Sequence, residues 1–258
     1  MIRSLTRFCL ISFIITFLNI FALSWRELKS QIESKYKEFS TSIKDLTIIM
    51  EVENKSLKEI EPLESKIFIK GEKYRMETKI NIAQEASFPI WENIKNIYIF
   101  DGKELWIINS ITGKQKISIE DWSAYQNLLN WWKNVIEDLK ITGSEKIGDR
   151  ICYILENKDK EEASKKIWID QKEHTLIQIE EKDKETTKIL NSNFKKIKNW
   201  EVPYTTEVFV NGELMLKNTI KSLEINKNLS DELFDVDKAE RESKINIQDL
   251  MDKIKIEN

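Results

Sequence analysis

Two short dipeptides constrain this chain more than any other feature. Asp101-Gly102 sits between Ile97-Tyr98-Ile99-Phe100 and Leu105-Trp106-Ile107-Ile108, and Asn211-Gly212 sits between Val208-Phe209-Val210 and Leu214-Met215-Leu216. Asn, Asp and Gly tolerate the positive φ that a tight turn between antiparallel strands requires, so each pair predicts a hairpin. Apolar or β-branched runs also occur at 46–52, 151–156, 166–169, 176–180, 187–197 and 219–225, and two more flank Gly71 within 66–78. In the last of these Tyr74, Met76 and Thr78 alternate with Arg75, Glu77 and Lys79. A period of two marks a half-buried strand. Strands that follow one another through hairpins predict an antiparallel meander.

Two helical patterns stand against this β background. Over 25–41, Leu28, Ile32, Tyr36 and Phe39 share one face at helical spacing, with Glu and Lys on the other. A second pattern opens at Ser118, with Glu120 and Asp121 in a first turn where acidic groups suit the helix dipole. Trp122, Tyr125, Leu129, Trp132, Ile136 and Leu139 then form a stripe that Leu128, Trp131 and Val135 widen. Its tryptophans bring more apolar surface than ordinary packing requires. The stripe reads either as a core helix against a curved sheet or as a helix lining an apolar cavity. From Lys238 the chain turns strongly charged, and Ile247, Leu250, Met251 and Ile254 recur at helical offsets. That pattern predicts a short amphipathic tail helix over part of 238–258.

No repeat, low-complexity tract or linker divides the chain. The organisation is a signal peptide at 1–24, one domain over 25–237 and the charged tail at 238–258. Arg3 and Arg7 supply a positive region, Phe8 to Leu23 an apolar stretch interrupted by Ser12, Thr16 and Asn19, and Ala22-Leu23-Ser24 the small residues of a cut after Ser24. The apolar stretch is shorter than the roughly 20 residues a spanning helix needs. Cleavage removes Cys9 and leaves Cys152 as the only cysteine, so an intrachain disulfide is excluded and the core must hold the fold. It also removes two arginines and no acid, so the remainder is more negative than the −3 of the whole chain. Lys and Glu alternate as a solvated surface, with no basic face of the kind a nucleic acid would meet. No nucleic-acid partner is expected.

Catalytic and metal-binding chemistry finds little to stand on. His174 is the one histidine, in a polar turn between strand-like runs, and no Cys–His set has ligand spacing. Cys152 lies within an apolar run and reads as a buried, inert thiol. Gly143 and Gly148 have the gap of a phosphate loop, but Asp149 and Arg150 follow where Lys and Ser or Thr are required. Asn157, Asp159 and Glu161 resemble the start of a calcium loop whose glycine is replaced by Glu162. No serine sits in a glycine-flanked elbow. The reading is a protein that is not an enzyme, with no cofactor and no metal.

The order of these parts, with DGKELWIINSITGKQ at 101–115, ITGSEKIGDRICYIL at 141–155, KIWIDQKEHTLIQIE at 166–180 and INKNLSDELFDV at 225–236, resembles the periplasmic outer-membrane lipoprotein carriers and sorting proteins, the LolA-like group. The resemblance spans about 25–237 of this chain. It implies an α+β fold, an unclosed and strongly curved antiparallel sheet, or half-barrel, with helices covering the concave face. It implies a monomeric periplasmic carrier that binds the acyl chains of lipoproteins, or another envelope lipid, and delivers them toward the outer membrane. An inner-membrane transporter and an outer-membrane acceptor would be its partners. The alternative is an envelope lipid sensor or scaffold that binds a membrane partner through the same sheet; an enzyme acting on an envelope lipid is the third reading. In such carriers an arginine near the first strands helps to hold the lid. The comparable stretch here carries Lys44, and the role is not carried over. The residues expected to line the apolar cavity are Phe68, Met76, Tyr98, Trp106 and Ile108 on the central strands, and Trp122, Leu128, Leu129 and Trp132 on the second helix. A one-residue slip of register would turn any strand's candidates to the other face.

Overall fold

The structure, a computed structural model, describes residues 24–55, 62–79, 95–118, 139–157 and 164–244. Helix α1 runs from Trp25 to Ser42. It starts where it does because the Ser24 hydroxyl accepts from the Glu27 amide while the Glu27 carboxylate accepts from the Ser24 amide at 2.8 Å. This reciprocal cap satisfies donors that a helix start otherwise leaves open. Leu28, Ile32, Tyr36 and Phe39 are the buried side chains, as the helical spacing predicts.

Thirteen strands follow: β1 (Asp45–Asn54), β2 (Leu63–Lys70), β3 (Lys73–Lys79), β4 (Lys95–Phe100), β5 (Leu105–Asn109), β6 (Gly113–Ile117), β7 (Lys140–Ile147), β8 (Arg150–Glu156), β9 (Ser164–Asp170), β10 (Leu176–Lys182), β11 (Thr186–Ile197), β12 (Trp200–Val210) and β13 (Glu213–Ile225). These thirteen strands of the described residues form one sheet in the order β6-β5-β4-β3-β2-β1-β13-β12-β11-β10-β9-β8-β7. Every neighbouring pair is antiparallel, so the predicted meander is observed. The Asp101-Gly102 and Asn211-Gly212 pairs join β4 to β5 and β12 to β13, with positive φ at Gly102, Asn211 and Gly212.

Among the described residues the sheet is not closed, and β6 and β7 are its two edges. It is strongly curved. Leu105 of β5 and Leu155 of β8 lie in one core with the α1 face, although a flat sheet would hold those strands about 48 Å apart. One helix about 27 Å long reaches both wings because the sheet curls around it. Each fully buried Leu or Ile on that helix contributes on the order of 1.5–3 kcal/mol, and Leu28 and Ile32 are both completely buried.

The convex face carries a second, smaller core. A 3-10 turn (Asp231–Phe234) and helix α2 (Val236–Ser243) press Phe234 and Ala239 onto Ile97, Ile99 and Ile108. Arg75, itself buried, donates to the Leu233 carbonyl at 2.6 Å, and Lys70 and Lys73 both bind Asp231 at 2.8 Å. Asp237, the expected end of the domain, falls inside α2, and Ile247, Leu250, Met251 and Ile254 lie outside the described residues.

Two polar knots fix α1 over the sheet. At its C-terminal end, the Asn226 carboxamide donates to the Ser42 carbonyl at 2.9 Å and accepts from the Lys44 amide at 2.7 Å. Beside it the buried Asp45 carboxylate accepts from the amides of Lys227, Asn228 and Leu229 at 2.7, 2.9 and 3.4 Å. In the middle of the helix, Lys35 binds the Glu173 carbonyl and carboxylate, the latter at 3.6 Å, and the Tyr36 hydroxyl donates to the His174 carbonyl at 3.4 Å. His174 occupies the predicted turn, at φ 51°, but is half-buried rather than a free surface residue.

Asp45→Ala strands three backbone donors, so a loss of about 2–4 kcal/mol is expected in denaturant unfolding, with the slope m kept. Burial, and then the nearby Lys35 charge, push the His174 imidazole below its ordinary value near 6.5. Its folded-state affinity for a proton is therefore weaker than in the unfolded chain. The stability it contributes is complete above the ordinary value and is lost as pH falls through the folded value. Melting curves between about pH 7.5 and pH 5 should fall more steeply for the native chain than for His174→Asn, which tolerates the same turn.

Candidate functional site

Between α1 and the β1, β10, β11, β12 and β13 side of the sheet lies a cavity of about 380 Å³. Tyr36 and Phe39 of α1 form its roof. Leu46, Ile48 and Met50 of β1, Leu176 of β10, Val202, Pro203 and Tyr204 of β12, and Ile220 and Leu223 of β13 form most of the rest. The parity of the strands explains most of this set, Pro203 being the exception. In β1, Leu46, Ile48 and Met50 alternate on the inner face and pair with Ile225, Leu223 and Ile220, the last across a bulge that keeps both side chains inward.

The roof is held at this end by Trp200. Its ring lies 4.7 Å from that of Phe39 at an interplanar angle of 54°, and its indole N–H donates to the Lys35 carbonyl at 3.3 Å. A tilted aromatic pair with the polar edge satisfied is a rigid support. At the rim Glu201 accepts from Arg150 at 2.7 Å, and Arg150 also reaches Asp170 at 3.4 Å and stacks 4.3 Å from the Phe194 ring.

Besides Thr175 and Glu201, three polar side chains interrupt the apolar lining. Asn191, Thr206 and Asn218 are register partners across β11, β12 and β13 and so form a row on the inner face. The Thr206 hydroxyl donates to the Asn191 carboxamide oxygen at 2.8 Å, and the Asn191 amide donates to the Leu176 carbonyl at 3.1 Å.

The expected lining residues are divided by the sheet. Met76 and Tyr98 pair with each other and face inward with α1, in the wing beyond the cavity walls. Phe68 and Ile108 face outward, packed in the convex core with Phe234. Trp106 shares their face, because Phe68 pairs with Arg75, Arg75 with Ile99 and Ile99 with Trp106. It borders a cleft with Phe234 and Val236. The five strand candidates therefore do not meet in one site. The outer face of this wing is apolar because a helix covers it too, so hydrophobicity alone could not tell the faces apart. Trp122, Leu128, Leu129 and Trp132 lie outside the described residues.

Sequence reasoning missed the β11–β13 floor. Polar Asn191, Thr206 and Asn218 carry no sign of facing an apolar cavity, and Pro203 hid the strand that carries Val202 and Tyr204.

Among the described residues no group of histidine, cysteine, aspartate or glutamate side chains is placed to hold a metal ion. Cys152 is completely buried, and burial pushes its thiol up to about 11, which holds it protonated and unreactive at neutral pH. Among the described residues no helix is long and apolar enough to cross a membrane.

No protein-family model and no curated protein sequence matches the chain. Solved structures do. A domain assigned to the outer membrane lipoprotein-sorting proteins of Vibrio parahaemolyticus superposes with a TM-score of 0.52 at 13% identity, over 80% of this chain and 95% of that one. A DUF1329 family protein from Desulfovibrio piger gives 0.53 at 14% identity, over 80% and 95%. A LolA superfamily protein from Nitrosomonas europaea gives 0.47 at 14% identity, over 79% and 97%. With its single unclosed antiparallel sheet curled around one capped helix, the chain has the fold of the lipoprotein-sorting domain on which it superposes.

Proposed function

We propose that this protein is an exported, periplasmic carrier that binds the acyl chains of lipoproteins, or of another envelope lipid, and delivers them toward the outer membrane. The observation that carries the reading is the apolar cavity of about 380 Å³ between α1 and the sheet. Its volume lies at the low end of the range for small-molecule pockets, roughly 300–1,000 Å³. Each methylene taken from water into such a site contributes about 0.8 kcal/mol, so an acyl chain supplies its own binding energy and no bond need be made or broken. The likeness to lipoprotein-sorting structures supports the same assignment. Loading by an inner-membrane transporter and release to an outer-membrane acceptor complete the proposed cycle, with the protein acting as a monomer.

Native mass spectrometry of the protein purified from its own compartment is expected to show a bound acylated species, and the purified protein should take up an apolar fluorescent dye. A clean apo mass with no dye uptake would overturn the reading. Ile220→Asp places an unpaired charge in the cavity wall and should weaken uptake at least about tenfold in a folded protein. The same effect is expected of Trp132→Asp, which tests the proposed contribution of Trp122, Leu128, Leu129 and Trp132 to the lining. Export implies cleavage after Ser24, to be read as an intact mass beginning at Trp25. A chain so cut has lost the Ser24 cap and should be less stable by about 1 kcal/mol than one that retains it.

A further inference from the structure

The row of polar side chains on the cavity floor is satisfied at one end and open at the other. Thr206 donates its hydroxyl proton to Asn191, and Asn191 in turn donates to the Leu176 carbonyl. Asn218, next in register to Thr206, has its carboxamide oxygen buried with no hydrogen-bond partner. The nearest polar neighbour in the row cannot supply one, because the Thr206 proton is already committed. Its other register partner is Val52, whose side chain has no donor. Buried acceptors are almost always paired in folded proteins, since each has lost its bonds to water. One that faces an apolar cavity is therefore a site in search of a donor.

We infer that the cavity selects a lipid whose acyl chain carries a hydrogen-bond donor, an amide N–H or a hydroxyl, and that Asn218 accepts from it. The inference rests on the lipid-binding reading and narrows it. The apolar walls of Met50, Ile220 and Leu223 hold the chain, as they would hold any chain. The open carbonyl on the floor distinguishes chains by their linkage. An ester-linked chain offers only acceptors there, so its oxygens meet the Asn218 oxygen without a proton between them and the buried acceptor stays unpaired. An amide-linked or hydroxylated chain supplies the missing proton. Discrimination by an unpaired buried group is stronger than discrimination by size in an apolar pocket.

The test is displacement of an apolar fluorescent dye by two pairs of matched ligands. The first pair is an N-methyl fatty amide and the methyl ester of the same acid; the second is a fatty alcohol and its methyl ether. The wild-type protein should bind the donor member of at least one pair more tightly than its partner, and the two pairs tell an amide client from a hydroxylated one. In Asn218→Leu the ratio of donor to non-donor affinity should fall at least about tenfold, the scale of one hydrogen bond. If that variant does not fold, Asn218→Val, β-branched and suited to a strand, carries the same comparison. Equal affinity within both pairs in the wild type, or a ratio that the Asn218 variants leave in place, overturns the inference while the carrier reading stands. Failure of every ligand and of the dye to bind the wild type overturns the carrier reading and this inference with it.

Discussion

The burial of one helical face sets the shape of this molecule. Leu28, Ile32, Tyr36 and Phe39 stand at one stripe of α1, and the sheet curls until both of its wings touch the core that the stripe begins. A flat sheet of thirteen strands would leave most of its inner face wet. A closed barrel of that number would leave a wide lumen that one helix cannot fill. The half-barrel is the compromise between those two costs. The cavity is the space left between the roof that the helix supplies and the inner face below it, and most of its walls are residues that already alternate inward.

The helix cannot slide along the sheet, because its middle and its C-terminal end are both tied by directional bonds. Asn226 and Asp45 hold the helix exit and the start of β1 to the chain that leaves β13, while Lys35 and Tyr36 reach the turn between β9 and β10. Apolar packing gives no such direction. The position of Trp200 against Phe39, and with it the roof of the cavity, follows from these polar contacts.

Much of this was legible in the sequence where local chemistry decides local structure. The two hairpin dipeptides, the α1 stripe and the strand through Tyr74 and Met76 appear as predicted, although Arg75, on the face expected to meet solvent, is buried. The edge strands were not legible: β6 carries Lys114, Gln115 and Lys116, and β7 carries Glu145 and Lys146, charges that deter pairing with other chains and erase the alternation that marks a strand. The first half of β12 was hidden by Pro203. That residue sits where β12 runs past its pairing with β13, the edge-like setting in which a strand tolerates proline. The walls of the cavity were not legible, and none of the five strand candidates is among them. Met76 and Tyr98 have the inner parity, but Phe68, Trp106 and Ile108 are apolar because α2 and the 3-10 turn protect the other face, and nothing local announces a second cover.

The strand order also has a consequence for how the chain comes together. β2 to β6 and β7 to β12 are two runs of neighbours in sequence, each able to assemble by successive hairpins, whereas β1 sits between β2 and β13, the first strand bonded to the last. Contacts between such distant segments form slowly, because a long loop must close before they give anything back. During synthesis β1 emerges first and gains β2 early, and its other edge, with Ile48, Ile49 and Met50, stays bare until the final strand arrives. A strand that ends next to the centre of the finished sheet thus keeps an apolar edge open until β13 is made, without the charges that protect β6 and β7, and it is there that a newly made chain is exposed to pairing with the wrong neighbour.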